Sequence, residues 1–220
     1  MLFDEKAVRD NIRNREGKRV FILGKTDTLT PSARDFLNRE RIEILPPEQA
    51  KPQTWKLLNG GFCEEKPEVM THLNGDTLVP KNHPRIRFRG AIDTLEAELL
   101  LCGTCTAEVL ALVRRLIRCD VLNEPVGDIT LYGLSEKEQR KRSHFPQDYY
   151  GIPHFMPDFS DSPQLLQLNR ARCAARSAEL AAVDAFVNPD GIPLRPDILQ
   201  AMNRISSMLY LLMLQEKSHK

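Results

Sequence analysis

The 220-residue chain is predicted to be mainly α-helical, with a bundle of four to five helices over residues 61–220 and a small α/β extension over residues 1–60. Three observations predict this fold. Helical patterns cover residues 92–122, 164–186 and 196–217. Proline and glycine interrupt the chain between these patterns. The extension, by contrast, combines short apolar runs with a single helix pattern.

The extension is predicted to hold a strand and a helix. Residues 20–24 are apolar enough for a buried strand. Thr30 followed by Pro31 predicts a helix start, because threonine caps a helix and proline fits its first position. Residues 46–61, which include Pro52, are predicted to be a linker or an irregular connection.

The next stretch, residues 65–90, contains too much proline and glycine for a helix. Asn74 followed by Gly75 predicts a hairpin turn between two short extended pieces. Thr71 and Lys81 place hydrogen-bond donors on this irregular backbone, which either wraps a phosphate chain or is a solvated loop. The glycine patterns of a Walker loop and of a dinucleotide-binding turn are both absent from the sequence.

Three helices are predicted in the following part of the chain. The first runs from Arg89 until Gly103 breaks or kinks it, and the second covers residues 106–122. The third begins at Ser135, where Ser-Glu-Lys-Glu resembles a capping box. Residues 144–163 then form a loop rich in proline and aromatic residues, which either packs over a ligand or is a structural lid.

The helix predicted for residues 164–186 carries a row of charges where a core helix would be apolar. The residues that share this face at helical spacing are Leu168, Arg172, Arg176, Glu179 and Val183. Alanines occupy much of the remaining surface and allow neighbouring helices to approach closely. The charged face fits an active site, and it fits equally a solvated face with an ordinary ion pair between Arg176 and Glu179.

The last helix is predicted to begin at Pro196. Asn203 and Arg204 stand halfway along an otherwise apolar pattern. Since polar groups buried without partners are costly, both need partners inside the bundle or across a subunit interface.

Composition excludes several classes of protein. The net charge of +1 gives no broad basic footprint for nucleic acid, and a local anion such as a polyphosphate fits the basic runs 81–89 and 137–142 better. No apolar run approaches the roughly 20 residues that span a bilayer. The N-terminus is charged from Asp4 onward rather than signal-like, so a cytoplasmic location without a membrane partner is expected.

The five cysteines are an odd number, and a disulfide framework is not expected. Cys102 and Cys105 form a Cys-x-x-Cys pair, but a structural metal site needs a second ligand pair at suitable spacing and none follows. Both are therefore predicted to be small core residues.

Several separated motifs, in the same order and spacing, resemble the corrinoid adenosyltransferases of the propanediol-utilisation type. The core segments are KNHPRIRFRGAIDTLEAEL (81–99), RARCAARSAEL (170–180) and QAMNRISSMLYLLM (200–213). TLTPSARDFL, EKPEVMTHL, LNEPVGDITLYGLSE and LRPDILQAMNRISS resemble the ethanolamine-utilisation branch in particular. The resemblance covers residues 28–45 and 62–214, and several motifs in order are more specific than any one of them.

The resemblance implies a five-helix bundle that forms a homo-oligomer, commonly a trimer and alternatively a dimer, with ATP and cobalamin bound between subunits. It implies transfer of the adenosyl group of ATP to cob(I)alamin, with Mg²⁺ or another divalent cation present. The product would serve ethanolamine ammonia-lyase, and that enzyme or a cobalamin reductase would be a protein partner. Association with a bacterial microcompartment is also implied.

The resemblance assigns five residues to the nucleotide. Thr71 and Lys81 match positions that hold the ATP phosphates. Arg176 and Glu179 match the family's Arg-Arg-Ala-Glu segment on ATP, and Asn203 matches its nucleotide-contacting asparagine. Arginine and lysine suit the leaving phosphates, while Glu179 would hold the cation or orient the arginines.

Three further residues are assigned to the interface and to the cobalamin side. Arg172 matches an arginine that pairs with an aspartate of the next subunit, and Asp93 matches that aspartate. Phe155 matches an aromatic residue that displaces the lower ligand of cobalamin. Such an apolar side chain would make cobalt(II) easier to reduce, and this would be the function of an aromatic loop that excludes water. Cobalt(I) is itself the nucleophile, so the protein has to supply placement and charge neutralisation.

The chain departs from the family pattern in three places. Ser177 replaces the second arginine of the Arg-Arg-Ala-Glu segment, and the glycine-rich phosphate loop is replaced by EEKPEVMT. Many members of the branch carry a histidine and a Cys-Cys-x-x-Cys cluster just before this stretch, of which only Cys63 remains. No metal site is therefore predicted there.

Two other functions are weighed against the transferase. A non-catalytic carrier or sensor of the same fold would bind cobalamin and ATP without turnover, and the altered phosphate loop favours it. Asp93, Arg172, Arg176, Glu179 and Asn203 argue against it, because a degenerate relative would lose charges that are costly to bury. A structural component of a microcompartment would depend on residues 1–60, whose removal would leave turnover intact if they are only a docking module.

Overall fold

The computed structural model describes residues 1–15, 18–47 and 54–218. The chain forms two compact units, Met1–Lys56 with Gly60–Lys66 and Leu57–Asn59 with Pro67–Lys220. Pro52, which the sequence places in a linker, lies outside the described residues.

The first unit is a small α/β structure, as predicted. Its elements are β1 (Leu2–Phe3), α1 (Glu5–Asp10), β2 (Arg13–Arg15), β3 (Lys18–Ile22), β4 (Thr28–Leu29), α2 (Pro31–Arg39), β5 (Glu43–Leu45), β6 (Trp55–Leu57) and β7 (Phe62–Cys63). β3 pairs with β2 in antiparallel and with β5 in parallel orientation. Thr30 caps α2 through its Oγ1, which accepts from the Ala33 amide at 3.3 Å. Val8, Phe21, Phe36 and Leu37 form the centre of its core.

The second unit is a helical bundle entered through a hairpin. Its elements are β8 (Met70–Asn74), β9 (Thr77–Pro80), α3 (Pro84–Cys102), α4 (Ala107–Leu122), α5 (Glu136–His144), α6 (Pro146–Tyr150), α7 (Pro163–Phe186) and α8 (Pro196–Ser218). α7 packs along α3 and α8, α4 packs on α3, and α5 packs on α8. The mainly α fold is confirmed, with α3, α4, α5, α7 and α8 as the five bundle helices and α6 as one short extra turn.

Most of the local start and stop signals are confirmed. The β8–β9 hairpin turns at Gly75, whose φ of 48° suits glycine. Gly103 ends α3 with a φ of 79° and opens a short 3₁₀ turn. At α5 both hydrogen bonds of the capping box are present between Ser135 and Glu138.

Two helix boundaries differ from the prediction. α3 begins at Pro84 rather than Arg89, since His83 caps it by accepting from the Arg85 amide at 3.2 Å. Proline was counted against a helix in this stretch, whereas at the first helical position it favours one. The loop over residues 144–163 contains α6, which starts at Pro146 for the same reason.

α7 packs on its neighbours through an alanine ridge, which we define as Ala171, Ala175, Ala178 and Ala182. All four are fully buried and recur every three or four residues. Side chains this small let helices approach closely. The ridge therefore brings the polar side chains of α7 within reach of α8.

The beginning of α8 is fixed by the Asp197 carboxylate, which accepts hydrogen bonds from Arg195 and from the Val126 amide. Arg195 reaches it with two nitrogens, at 2.9 Å and 2.8 Å, and the Val126 amide donates at 3.1 Å. Arg195 also donates to the Glu124 carbonyl at 2.8 Å. The hydrogen bonds from Arg195, followed by that from Val126, outweigh burial and hold the pKa of Asp197 at about 2.

We expect Asp197→Asn to lower the free energy of unfolding by about 1–2 kcal/mol at neutral pH, because the folded state stabilises the ionised carboxylate more than the unfolded state does. The depressed pKa makes this stabilisation complete above the unfolded-state pKa near 4, and it disappears as the pH falls towards 2. Urea denaturation of both proteins between pH 3 and pH 7 should show that the difference between their free energies of unfolding becomes smaller towards pH 3. A difference that does not change with pH would contradict the depressed pKa of Asp197.

Candidate functional site

The charged face of α7 is neither core nor an ordinary surface. Arg172 and Glu179 are half-buried and Arg176 is exposed. Within the described residues, Arg176 has no hydrogen bond or ion pair, so the predicted alternative of an Arg176 to Glu179 ion pair is wrong. Glu179 instead accepts a hydrogen bond from Asn203 Nδ2 at 3.0 Å. The exposed Arg176 guanidinium, which has no partner in the described part of the chain, thus lies one helical turn from a carboxylate that α8 holds in place.

Asn203 links Glu179 to Arg204. Arg204 Nη2 donates to Asn203 Oδ1, which leaves the amide nitrogen of Asn203 for Glu179. Arg204 is only 6% exposed, and burial lowers the pKa of its guanidinium. Its Nε and Nη1 have no partner among the described residues. The prediction that both residues need partners is confirmed for Asn203 and only in part for Arg204.

Tyr210 contacts two further residues that the sequence singled out, Arg172 on α7 and Phe155 in the loop before α7. Its ring centroid lies 5.9 Å from that of Phe155, in a stacked arrangement, and the Arg172 guanidinium lies 5.4 Å from it. His154 stacks on the same ring at 5.8 Å and its Nδ1 is 3.2 Å from the Tyr210 hydroxyl. We call Tyr210, His154 and Phe155 the aromatic cluster. Arg172 and Phe155 therefore both contact the Tyr210 ring.

Sequence reasoning missed His154 and Tyr210. A signal for Tyr210 was available, since it follows Asn203 by seven residues and therefore lies on the same face of α8. His154 gave no such signal, because it lies in a loop without periodicity.

The two predicted phosphate-binding residues lie on the β8–β9 hairpin. Thr71 pairs with Val79 across the hairpin and is half-buried, while Lys81 follows β9 directly and is exposed. Lys81 borders a shallow groove of about 590 Å³ that Glu68, Val69, Pro80 and Asn82 also line. In the described part of the chain, no bond connects Thr71 or Lys81 to Arg176, Glu179 or Asn203. The structure thus leaves the hairpin and the α7 face as separate groups of donors.

Asp93 lies on α3, exposed to solvent. It forms neither a hydrogen bond nor an ion pair with any described residue, and Arg172 contacts Tyr210 rather than Asp93. The two residues are not brought together within one chain.

A buried carboxylate that the sequence did not reveal fixes the start of α3. Asp120 is fully buried and accepts from Arg85 Nε at 2.8 Å and from Arg89 Nε at 2.8 Å. Each arginine brings a second nitrogen to 2.7 Å of the same carboxylate. Arg85 also donates to the Asp120 carbonyl at 2.8 Å. This network orients the helix that directly follows the hairpin.

The cysteines and carboxylates form no metal cluster in the described ranges, where no group of three or more His, Cys, Asp and Glu is placed to hold an ion. Cys102 is buried, and burial raises its pKa to about 11, as suits a small core residue. The same prediction for Cys105 is wrong, since Cys105 is exposed on the 3₁₀ turn after Gly103. The Glu179 carboxylate is chemically suited to give an oxygen ligand to a hard cation such as Mg²⁺.

None of the described helices is both long and apolar enough to cross a membrane.

Known proteins resemble the chain along most of its length. The family model of the cobalamin adenosyltransferases matches residues 62–216. Corrinoid adenosyltransferase EutT of Escherichia coli strain K12 is 31% identical over an alignment of 241 positions, which covers 96% of this chain and 90% of that protein. The protein of the same name from Salmonella typhimurium strain LT2 has the same identity and coverage. The family match extends over the hairpin, the charged face of α7 and the aromatic cluster.

Proposed function

Because the chain belongs to the cobalamin adenosyltransferase family, it transfers the adenosyl group of ATP to cob(I)alamin, and we propose that α7 and α8 carry the site of this reaction. The observation that carries this placement is the Glu179–Asn203 hydrogen bond beside the exposed Arg176. It joins a side chain of α7 to a side chain of α8 where the two helices pack.

The reaction needs little chemistry from the protein. The cobalt(I) electron pair forms a bond to the 5′ carbon of ATP, the bond from that carbon to oxygen breaks, and its electron pair leaves with the triphosphate. No proton has to be removed and no protein nucleophile is required. What raises the rate is placement of the two substrates and neutralisation of charge on the leaving phosphates.

Arg176 would supply positive charge to the phosphates, because a guanidinium binds phosphate oxygens in pairs. Asn203 would contact the nucleotide, with its amide oriented by Arg204 on one side and Glu179 on the other. Glu179 would hold Mg²⁺ or another divalent cation. Thr71 and Lys81 would approach the phosphates from the hairpin.

An anaerobic assay of the purified protein with ATP, Mg²⁺ and chemically reduced cobalamin tests the reaction. We expect the spectrum to change to that of a light-sensitive alkylcobalamin. Binding of both substrates without product would overturn the transferase and leave a carrier or sensor, the alternative that the missing glycine-rich phosphate loop favours.

The aromatic cluster is proposed to act on the oxidised substrate. Phe155 would exclude the lower ligand of cobalt(II), which makes the metal easier to reduce. We expect Phe155→Ala to lower the rate at least tenfold when the assay starts from cobalt(II) with a reductant, and much less when it starts from pre-reduced cobalt(I). Measuring both routes on the same preparation checks this. Equal losses on the two routes would remove the proposed role.

A homo-oligomer, most simply a trimer with the site between subunits, is proposed from residues that lack partners within one chain. Asp93 is exposed and unbonded among the described residues, and its family counterpart pairs with an arginine that matches Arg172. Leu100 and Leu101 on α3 and Leu180 on α7 expose 56%, 59% and 70% of their surface. Apolar side chains exposed on two adjacent helices are typical of a subunit contact.

We expect Asp93→Ala or Arg172→Ala to lower activity and weaken the oligomer together, because each removes one half of a charge pair between subunits. Mixing the two inactive variants should restore part of the activity, since one interface then contains both native residues. Size-exclusion chromatography and the cobalt(I) assay measure the two effects. Mixed subunits that exchange but stay inactive would contradict the pairing.

The product is proposed to serve ethanolamine ammonia-lyase in the cytoplasm, either free or in a bacterial microcompartment. The support is the ethanolamine-utilisation type of the relatives.

A further inference from the structure

The segment that carries Phe155 is tied to the last turn of α8. Lys217 Nζ lies 2.6 Å from Asp161 Oδ1 and 5.0 Å from the centroid of the Phe155 ring. One ammonium group therefore contacts both the ring and the end of the segment that follows it. Beside it, Ser162 Oγ donates to Glu216 at 2.6 Å.

The buried Asp161 carboxylate is positioned to pair with the positive charge of Lys217. Its side chain is 1% exposed, and its second oxygen accepts from the Asp158 amide at 3.0 Å. A carboxylate this deeply buried is stable only when it is paired and hydrogen-bonded. Lys217 is thus held at a defined position, because breaking an ion pair with a deeply buried carboxylate is costly.

The spacing along α8 relates this pair to the rest of the site. Asn203, Tyr210 and Lys217 follow one another at intervals of seven residues, which places them on one face of the helix. Two such intervals span about 21 Å at a rise of 1.5 Å per residue. The proposed nucleotide contact, the centre of the aromatic cluster and the lysine thus lie along one rigid helix.

We propose that the Lys217–Asp161 pair is a clamp that positions Phe155 against Tyr210, and that it thereby controls the route from cobalt(II). Lys217 is a positioning residue, because it acts through the ring and not on cobalamin itself. The inference rests on the proposed function of Phe155. It adds to that function the residue pair that holds the Phe155 ring in place.

The test compares Lys217→Met with Lys217→Arg, which keeps the positive charge. For each protein, the adenosylation rate is measured from pre-reduced cobalt(I) and from cobalt(II) with a reductant, together with the electron paramagnetic resonance spectrum of cobalt(II)alamin in the presence of ATP. We expect Lys217→Met to lower the cobalt(II) rate about tenfold and the cobalt(I) rate less than threefold, since small displacements of a positioned group are costly to rate. The spectrum should lose the signal of cobalt without its lower ligand, and Lys217→Arg should restore it.

Should Lys217→Met fail to fold, the double variant Lys217→Met with Asp161→Asn replaces it, because Asp161→Asn removes the buried negative charge that Lys217 balances. A native ratio of the two rates in a folded Lys217 variant, with an altered ratio in Phe155→Ala, would overturn the clamp alone. An unchanged ratio in Phe155→Ala would overturn the role of the aromatic residue and the clamp with it. Absence of turnover from cobalt(I) in the native protein would be a failure of the proposed function itself.

Discussion

Replacing Arg176 by alanine is expected to lower kcat/KM for ATP by about a hundredfold, the usual effect of removing one donor that neutralises transition-state charge. Because Arg176 is exposed and has no partner among the described residues, the unfolding temperature should stay unchanged. Steady-state kinetics with pre-reduced cobalamin and a thermal melt measure the two quantities on the same protein. A loss of activity without a loss of stability identifies a residue that acts on substrate.

Arg170 on the same helix provides the matched control. Its guanidinium is also exposed, but it pairs at 2.8 Å with Glu98, whose side chain is only 15% exposed. Arg170→Ala should leave kcat/KM within about twofold of the native value, as for a surface substitution outside the site. If the two alanine variants lost activity to the same extent, general charge on α7 rather than Arg176 would be responsible.

The second large effect is expected on stability. Asp120→Ala should lower the free energy of unfolding by about 3–5 kcal/mol, because it leaves Arg85 and Arg89 partly buried without their shared carboxylate. That change corresponds to a fall in Tm of roughly 6–20 °C for a chain of this size. Urea denaturation and thermal melts measure it.

Asp184→Ala is the control, since Asp184 also pairs with an arginine of α3. Its bond to Arg87 is 2.7 Å long, but both side chains are 57% exposed. Exposed ion pairs contribute less than about 1 kcal/mol. Equal destabilisation by the two aspartate variants would mean that burial of Asp120 adds nothing to its pair.

Short sequence motifs predicted the starts of helices correctly where the residue types in the motif favour a single structure. Thr30 before Pro31 gave the start of α2, and Ser135 with Glu138 gave that of α5. The start of α3 differs from its prediction. Proline breaks the interior of a helix, but Pro84 occupies the first helical position, where proline is favourable. Proline has two opposite meanings, and only the neighbouring cap distinguishes them.

Within the site, the sequence predicted the residues of α7 and α8 but not their connections. Glu179 and Asn203 lie 24 residues apart, and their hydrogen bond depends on how closely two helices pack. Asp120 resembled an ordinary polar residue at the end of a helix, since nothing near it in sequence marks two arginines more than 30 residues away. Lys217 and Asp161 are 56 residues apart and carry no motif. Contacts of this kind follow from tertiary packing and not from periodicity.

The alanine ridge of α7 has a consequence for how tolerant the chain is to change. Any larger side chain at Ala171, Ala175, Ala178 or Ala182 would overfill a closed seam, at a cost of typically about 1–3 kcal/mol. It would also move Glu179 away from Asn203. In a saturation-mutagenesis experiment scored by growth, these four chemically inert positions would therefore be as intolerant as the charged residues beside them. Intolerance alone would then fail to separate the residues that perform the chemistry from those that set the distance between two helices.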